Sequence, residues 1–203
     1  MTASYTEGHS DPTVQPVPAS VVERVDAADT TLQNPKRAVL SLGSNLGNRL
    51  ETLQGAIDAL EDTPGVRVKA VSPVYETEPW GVEPGSQPTY LNAVVVLRTT
   101  LPPSSLLERA HAVEEAFDRV RDERWGARTI DVDIVAYADV VSDDPVLTLP
   151  HPHAHERAFV LAPWHDVEPE AQLPGRGPVA QLLAGVGRDD ATPRADLELH
   201  LPE

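Results

Sequence analysis

LNAVVVLRTTLPPSSLLERAHAVEEAF, residues 91–117, carries a strand and a helix in one stretch. LNAVVVL (91–97) is a short apolar, β-branched run and reads as a strand. Pro102, Pro103, Ser104 and Ser105 then open a helix that sets Leu106, Leu107, Ala110, Val113 and Phe117 on one face. Working upstream, residues 38–42 form another apolar run that ends in the turn cluster GSNLGN (43–48). Asn48 is a suitable N-cap, and Leu50, Leu53, Ile57 and Leu60 follow at helical spacing until Pro64-Gly65 stops them. Val66, Val68 and Ala70 alternate with polar residues, which predicts a strand running to about Tyr75. Residues 76–90, rich in proline and glycine, read as a long loop. Downstream, TIDVDIVAY (129–137) predicts a further strand, and 153–163 and 178–185 read as short helices.

The order is β-α-β-β-α-β with extra short helices at the C-terminal end. That is the ferredoxin-like, split βαβ pattern of the α+β class. It predicts an antiparallel sheet with two helices packed on one face, and the other face then needs cover or a ligand. Residues 1–36 are polar and Pro-rich with no sustained period and read as a disordered tail, because such a segment buries too little apolar surface to offset its ordering entropy. Residues 187–203 read as an acidic C-terminal tail. The folded unit expected is 37–186, and a domain of ~150 residues buries roughly 68–70% of its unfolded surface.

Composition narrows the function. The 203 residues contain 16 Lys plus Arg against 32 Asp plus Glu, a formal charge of −16. Phosphate backbones and anionic membranes both require a basic patch, so neither nucleic acid nor a membrane is an expected partner. An RNA-binding module on this topology would also need aromatic residues on its strands, and these strands are aliphatic. The absence of cysteine removes disulfides, thiolate metal sites and a Cys nucleophile. No secretory h-region and no run of 18 apolar residues is visible, and the default expectation is a cytoplasmic protein.

The chemistry concentrates in RVRDERWGARTIDVDI (119–134). Alternation puts Asp131 and Asp133 on one strand face, with Cα atoms ~6–7 Å apart. Such a pair can hold two Mg²⁺ ions, which sit roughly 3.5–4 Å apart in phosphoryl-transfer sites, or it can be a solvated strand face. Arg119, Arg121, Arg124 and Arg128 lie just upstream, and guanidinium groups fit phosphate oxygens bidentately. Asp118, Asp122 and Glu123 offer them an alternative set of partners, so composition alone leaves the two readings level. His151, His153 and His155 alternate with Pro152 and Ala154, and one histidine donating to phosphate fits better than a transition-metal site. Trp80, Tyr90 and Asn92 supply aromatic faces and an amide edge suited to a flat heterocycle.

Five separated pieces, in order, resemble one family: SLGSNLGNR (41–49), YETEPWG (75–81), QPTYLNAV (87–94), RWGARTIDVDI (124–134) and LPHPHAHERAFVLAP (149–163). The family is the 6-hydroxymethyl-7,8-dihydropterin pyrophosphokinases of folate biosynthesis, and the resemblance spans about 39–186. It implies a ferredoxin-like α+β fold and an ATP-dependent enzyme. That enzyme moves the terminal pyrophosphoryl group of ATP to the hydroxymethyl oxygen of a reduced pterin, leaving AMP. It implies a pair of Mg²⁺ ions held by Asp131 and Asp133, and phosphate contacts from Arg128 and from Arg119, with Arg121 the alternative to Arg119. Glu114, Ile134, Thr148, His151 and Arg157 fall in the ATP set. Thr77, Trp80, Tyr90, Asn92, Trp125 and Phe159 fall around the pterin, with Trp125 and Phe159 on its two faces. A monomer is implied.

Three positions depart from the family pattern. Pro152 stands where many relatives have Tyr, Glu78 where the pterin loop is apolar or Pro, and Asp122 where a Lys is common. They bear on affinity rather than on the class of reaction.

Overall fold

Residues 34–79, 87–117 and 129–202 are described by the computed structural model. The first strand, β1 (Lys36–Ser44), is the spine of a mixed α and antiparallel β structure. Helix α1 (Arg49–Glu61) follows, with the Asn48 side chain accepting from the Glu51 N–H as its cap. The expected second strand arrives as two pieces, β2 (Val66–Val71) and β3 (Tyr75–Thr77). The break has a local cause. At Ser72 the side-chain Oγ accepts the Val94 N–H (2.8 Å) while the Ser72 N–H reaches the Val94 carbonyl (2.9 Å), so a hydroxyl substitutes for a backbone carbonyl and the ladder shifts. The stretch read as loop from 76 therefore begins as strand.

β4 (Tyr90–Thr99) pairs along its length with β1, and on its other side with both β2 and β3. Helix α2 (Pro103–Ala116) carries Pro103 in its first turn, where the missing N–H breaks no helical bond. β5 (Asp131–Tyr137) pairs with the free side of β1 and forms one edge of the sheet. The Val39/Leu40 register shift lets Val135 bulge out of that pairing. Two short hairpins follow, β6 (Ser142–Asp143) with β7 (Thr148–Leu149), and β8 (Gln172–Leu173) with β9 (Gly177–Pro178). Helices α3 (Ala158–Val167) and α4 (Val179–Val186) complete four helices among the described residues. A last strand, β10 (Thr192–Pro193), pairs with β3 and makes the opposite edge.

The sheet has a core on each face. Leu53, Ile57 and Leu60 of α1 and Leu106, Ala110 and Val113 of α2 pack on Leu40, Leu42, Val95, Leu97, Val132 and Ile134. Fully burying a side chain such as Leu or Ile stabilises by about 1.5–3 kcal/mol, and this face supplies most such residues. On the other face, α3 and α4 cover Val39, Val94, Val135 and Ala136 with Val160, Leu161, Trp164, Val179 and Leu183. Arg37 clamps α3 through Glu168, which also accepts from the Trp164 indole N–H at 2.9 Å. That cover extends over only half of the face. The other half presents Ser41, Gly43, Asn92, Asp131 and Asp133, residues of the same alternation that belong to neither core.

After α4 the chain turns at Gly187 (φ +87°), where a left-handed conformation suits glycine. Residues 187–202, the stretch expected as an acidic tail, run along the β3 edge and then across to the α1 side, where Leu197 and Leu199 pack against the core. Residues 1–33 lie outside the described part.

Candidate functional site

The half-face outside both cores is organised by register. Tyr75 lies opposite Asn92, Asn92 opposite Gly43, and Gly43 opposite Asp131, so one row crosses the sheet from β3 to β5. Two residues further along, on the same face, Ser41 faces Asp133. Neighbouring strands lie about 4.8 Å apart, so Asn92 and Asp131 are roughly 10 Å apart across Gly43. A flat floor with an amide at one end and a carboxylate pair at the other is the result.

At the carboxylate end, burial alternates as expected. Asp131 and Asp133 are half-exposed, while Val132 and Ile134 are buried. A cleft of about 220 Å³ opens here, with Glu114, His111, Thr148, His151 and Pro152 on its walls. Glu114 is buried (3% exposed) and its Oε1 accepts the Val132 N–H at 3.0 Å. It thereby satisfies a backbone donor on the outer side of an edge strand, where no further strand pairs. Ile134, two residues on, turns its backbone to the same side.

His151 stands over Asp133, with Nε2 3.9 Å from the Asp133 Oδ2. Its Nδ1 accepts the His153 N–H at 3.2 Å, which leaves the proton of the neutral ring on Nε2. Burial first, then the positive charge of Arg157 and the nearby His153, lower its pKa to about 4. His151 is thus a neutral donor aimed into the cleft at ordinary pH. Arg157, just before α3, brings NH1 to 3.8 Å from Asp133 Oδ2 and lays its guanidinium 5.5 Å from the Phe159 ring centroid. It bridges the carboxylate end and the aromatic end of the site, a placement that sequence spacing did not indicate.

At the amide end, Asn92 is buried and donates from Nδ2 to the Thr77 Oγ1 at 2.9 Å. A Cβ at Gly43 would meet the Asn92 Oδ1 at 3.0 Å and the Tyr90 ring at 3.5 Å, so the absence of a side chain lets Asn92 and Tyr90 pack close to the strand. Beside this floor lies a larger cleft of about 490 Å³, with Thr77, Glu78, Arg157 and Phe159 on one side and Asp189, Asp190 and Thr192 on another. Pterin candidates Thr77, Tyr90, Asn92 and Phe159 therefore gather at one end and ATP candidates Glu114, Ile134, Thr148 and His151 at the other, while Arg157, expected in the ATP set, lies between the two and lines the larger cleft beside Thr77 and Phe159. Trp80, Arg119, Arg121, Trp125 and Arg128, together with Asp122, lie outside the described residues.

Glu76 was not expected to matter. Its Oε1 accepts from Arg49 NH1 and Thr89 Oγ1 (both 2.8 Å), and its Oε2 from Arg194 NH1 (2.6 Å). Burial pushes this carboxyl up, but the three hydrogen bonds outweigh it and hold the pKa below the usual range. Arg49, Glu76 and Thr89 each sit in one of the quoted family elements, and that is the sequence signal for the cluster; Arg194 lies beyond them.

The profile of the family described as 7,8-dihydro-6-hydroxymethylpterin-pyrophosphokinase (HPPK) matches residues 39–169. A Pseudomonas aeruginosa protein named 2-amino-4-hydroxy-6-hydroxymethyldihydropteridine pyrophosphokinase is 44% identical over 149 residues, covering 73% of this chain and 91% of that one. A Mycobacterium tuberculosis protein of the same name is 46% identical over 162 residues, covering 73% and 82%. Among solved structures, wild-type Plasmodium falciparum HPPK-DHPS with SDX-DHP superposes with a TM-score of 0.58 at 16% identity, covering 74% of this chain and 44% of the other. At that identity it speaks for the fold alone. On the extent of the profile match and the identity of these relatives, the chain belongs to the 7,8-dihydro-6-hydroxymethylpterin-pyrophosphokinase family.

Proposed function

We propose that this chain transfers the terminal pyrophosphoryl group of ATP to 6-hydroxymethyl-7,8-dihydropterin, a step of folate biosynthesis. The hydroxymethyl oxygen forms a bond to the β-phosphorus, the bond from that phosphorus to the bridging oxygen of the α-phosphate breaks, and AMP leaves. The hydroxyl proton is released. The observation that carries this reading is the row Asn92–Gly43–Asp131, which joins an amide reader and a carboxylate pair across one face of the sheet.

On this reading the pterin lies over Gly43, with Asn92 and Thr77 at its polar edge and Tyr90 and Phe159 beside it. Trp80 and Trp125 belong to the same set through the family resemblance. ATP occupies the cleft along β5, with the outward backbone of Ile134 available to the base and Thr148 and His151 at its wall. The neutral His151 Nε2–H donates to phosphate, and Arg157 supplies a cation between phosphate and ring. Arg128 and Arg119, or Arg121 in place of Arg119, add further cations to the transferring group. Little covalent chemistry falls to the protein, and positioning with charge neutralisation dominates.

Asp131 and Asp133 fit Mg²⁺. Two carboxylates on one strand face, open to a cleft, suit an ion that is ordinarily held by one or two carboxylates and completed by substrate phosphates. When bound there, Mg²⁺ neutralises the triphosphate and withdraws charge from the phosphorus under attack. The strand order β3–β4–β1–β5, with β2 beside β4 and every neighbour antiparallel, supports a ferredoxin-like topology. The resemblance supports a cytoplasmic monomer.

The test is a discontinuous assay of purified protein with ATP, Mg²⁺ and the hydroxymethyl-dihydropterin. AMP and the pterin diphosphate are expected in equal amounts, and neither without pterin. Release of ADP, or ATP consumption indifferent to the pterin, overturns the reading.

A further inference from the structure

The residues beyond α4 do more than close the chain. Arg188 donates to the Tyr75 hydroxyl and to Asp166 (both 2.8 Å), and β10 pairs Thr192 with Glu76. Arg194 then donates its backbone N–H to the Val74 carbonyl (2.9 Å) and its NH1 to Glu76 Oε2 (2.6 Å). Asp196 grips the other side of the same guanidinium at 2.7 and 2.9 Å, which fixes its plane. Finally His200 exchanges two hydrogen bonds with the Gln54 side chain on α1 (2.8 and 3.1 Å). The segment is thus anchored at both ends and loaded against β3 in the middle.

Glu76 is where this load meets the site. Its second oxygen holds Thr89, the residue before β4, together with Arg49. Thr77 follows Glu76 directly and bonds Asn92. Arg194, Glu76 and Thr89 therefore form a chain of charge-assisted contacts that sets β3 against the head of β4.

We propose that residues 187–202 are a working part of the pterin side of the site, with Arg194 a positioning residue that acts through Glu76 on the Thr77–Asn92 pair. The inference rests on the pyrophosphokinase reading above and extends it to a segment beyond the family match, which ends at residue 169. Truncation or mutation here changes pterin recognition and leaves the nucleotide half untouched.

The experiment compares steady-state constants and melting temperatures of the full chain with those of Arg194→Gln, Arg194→Lys and Gln54→Ala. Loss of a charge-assisted bond predicts a pterin KM roughly tenfold higher in Arg194→Gln, with kcat and ATP KM within about twofold of wild type. Arg194→Lys, which keeps a cation within reach of Glu76, recovers most of the pterin KM. Gln54→Ala frees the far end of the segment without touching Glu76, so it lowers the melting temperature and leaves pterin KM unchanged. An unchanged pterin KM in Arg194→Gln, or equal shifts in all three constants, overturns the proposal. Should Arg194→Gln not fold, Glu76→Gln, which loses the same ion pair from the other side, takes its place, and an unchanged pterin KM there overturns the proposal as well. An active wild type with unaffected variants sinks this inference alone, whereas a wild type that releases no pterin-dependent AMP sinks the function reading and this inference with it.

Discussion

Gly43 and Asn92 face each other across the β1–β4 ladder, and a methyl group on Gly43 would stand 3.0 Å from the Asn92 amide oxygen. Asn92 has little room to retreat, because it is buried and its amide nitrogen is committed to Thr77. Gly43→Ala is therefore expected to raise pterin KM by roughly tenfold or more, the scale of one disturbed buried hydrogen bond, with a smaller change in ATP KM. Steady-state kinetics with each substrate varied in turn checks this. Equal weakening of both substrates would place the floor elsewhere.

Asp131 and Asp133 are partly exposed and contribute little to packing, so their removal separates chemistry from folding. Asp131→Ala and Asp133→Ala should each lower kcat by roughly 10²–10³-fold or more, as loss of a preorganised charge does, while the far-ultraviolet dichroism stays that of wild type. A rate near wild type at saturating Mg²⁺ in either variant would end the metal assignment.

Glu114 combines two duties in one carboxylate, a wall of the cleft proposed for ATP and the acceptor for the Val132 N–H. Glu114→Ala leaves that buried donor unsatisfied, at a cost of about 1–3 kcal/mol. Glu114→Gln keeps an acceptor and should recover much of the loss. Urea unfolding of the pair measures it, and identical midpoints would mean that the bond carries no stability.

Glu168 gives a pH signature. Burial pushes its carboxyl up, but hydrogen bonds from Arg37 and Trp164 and the Arg37 charge outweigh burial and hold the pKa below the ordinary value. A depressed carboxyl contributes stability that is complete above its unfolded pKa of about 4.3 and is lost as pH falls through the folded value. Urea midpoints should therefore drop with acidification below about pH 4–5, and Glu168→Gln should both lower the midpoint at neutral pH and flatten that acid limb. A variant with the full wild-type slope would remove Glu168 from the account.

Periodicity made much of this architecture readable. The helical stripes of Leu53, Ile57 and Leu60 and of Leu106, Ala110 and Val113 face the core as spaced, and Asp131 and Asp133 share a face opposite Val132 and Ile134. What periodicity missed is held by other forces. The split between β2 and β3 depends on one hydroxyl, Ser72, taking the place of a carbonyl. The path of residues 187–202 depends on Arg188 and Arg194 finding carboxylates more than twenty residues away in Asp166 and Glu76, and no hydrophobic pattern announces such pairs. Gly43 is hard to read because its contribution is an empty volume. Arg157 carried a family role in the sequence, but its bridging position between Asp133 and Phe159 emerges only when α3 is set beside β5.

The partial cover by α3 and α4 has a consequence for how such a site can change. The proposed site is built on the same sheet whose reverse side carries the core under α1 and α2, so its base inherits the stiffness of the protein's interior. Altered ligand preference would then be expected to arise by replacing residues on the surrounding rim, such as the exposed Glu78, where a new side chain disturbs nothing beneath it. The platform itself tolerates little revision, and drift there would be felt as instability before it was felt as new selectivity.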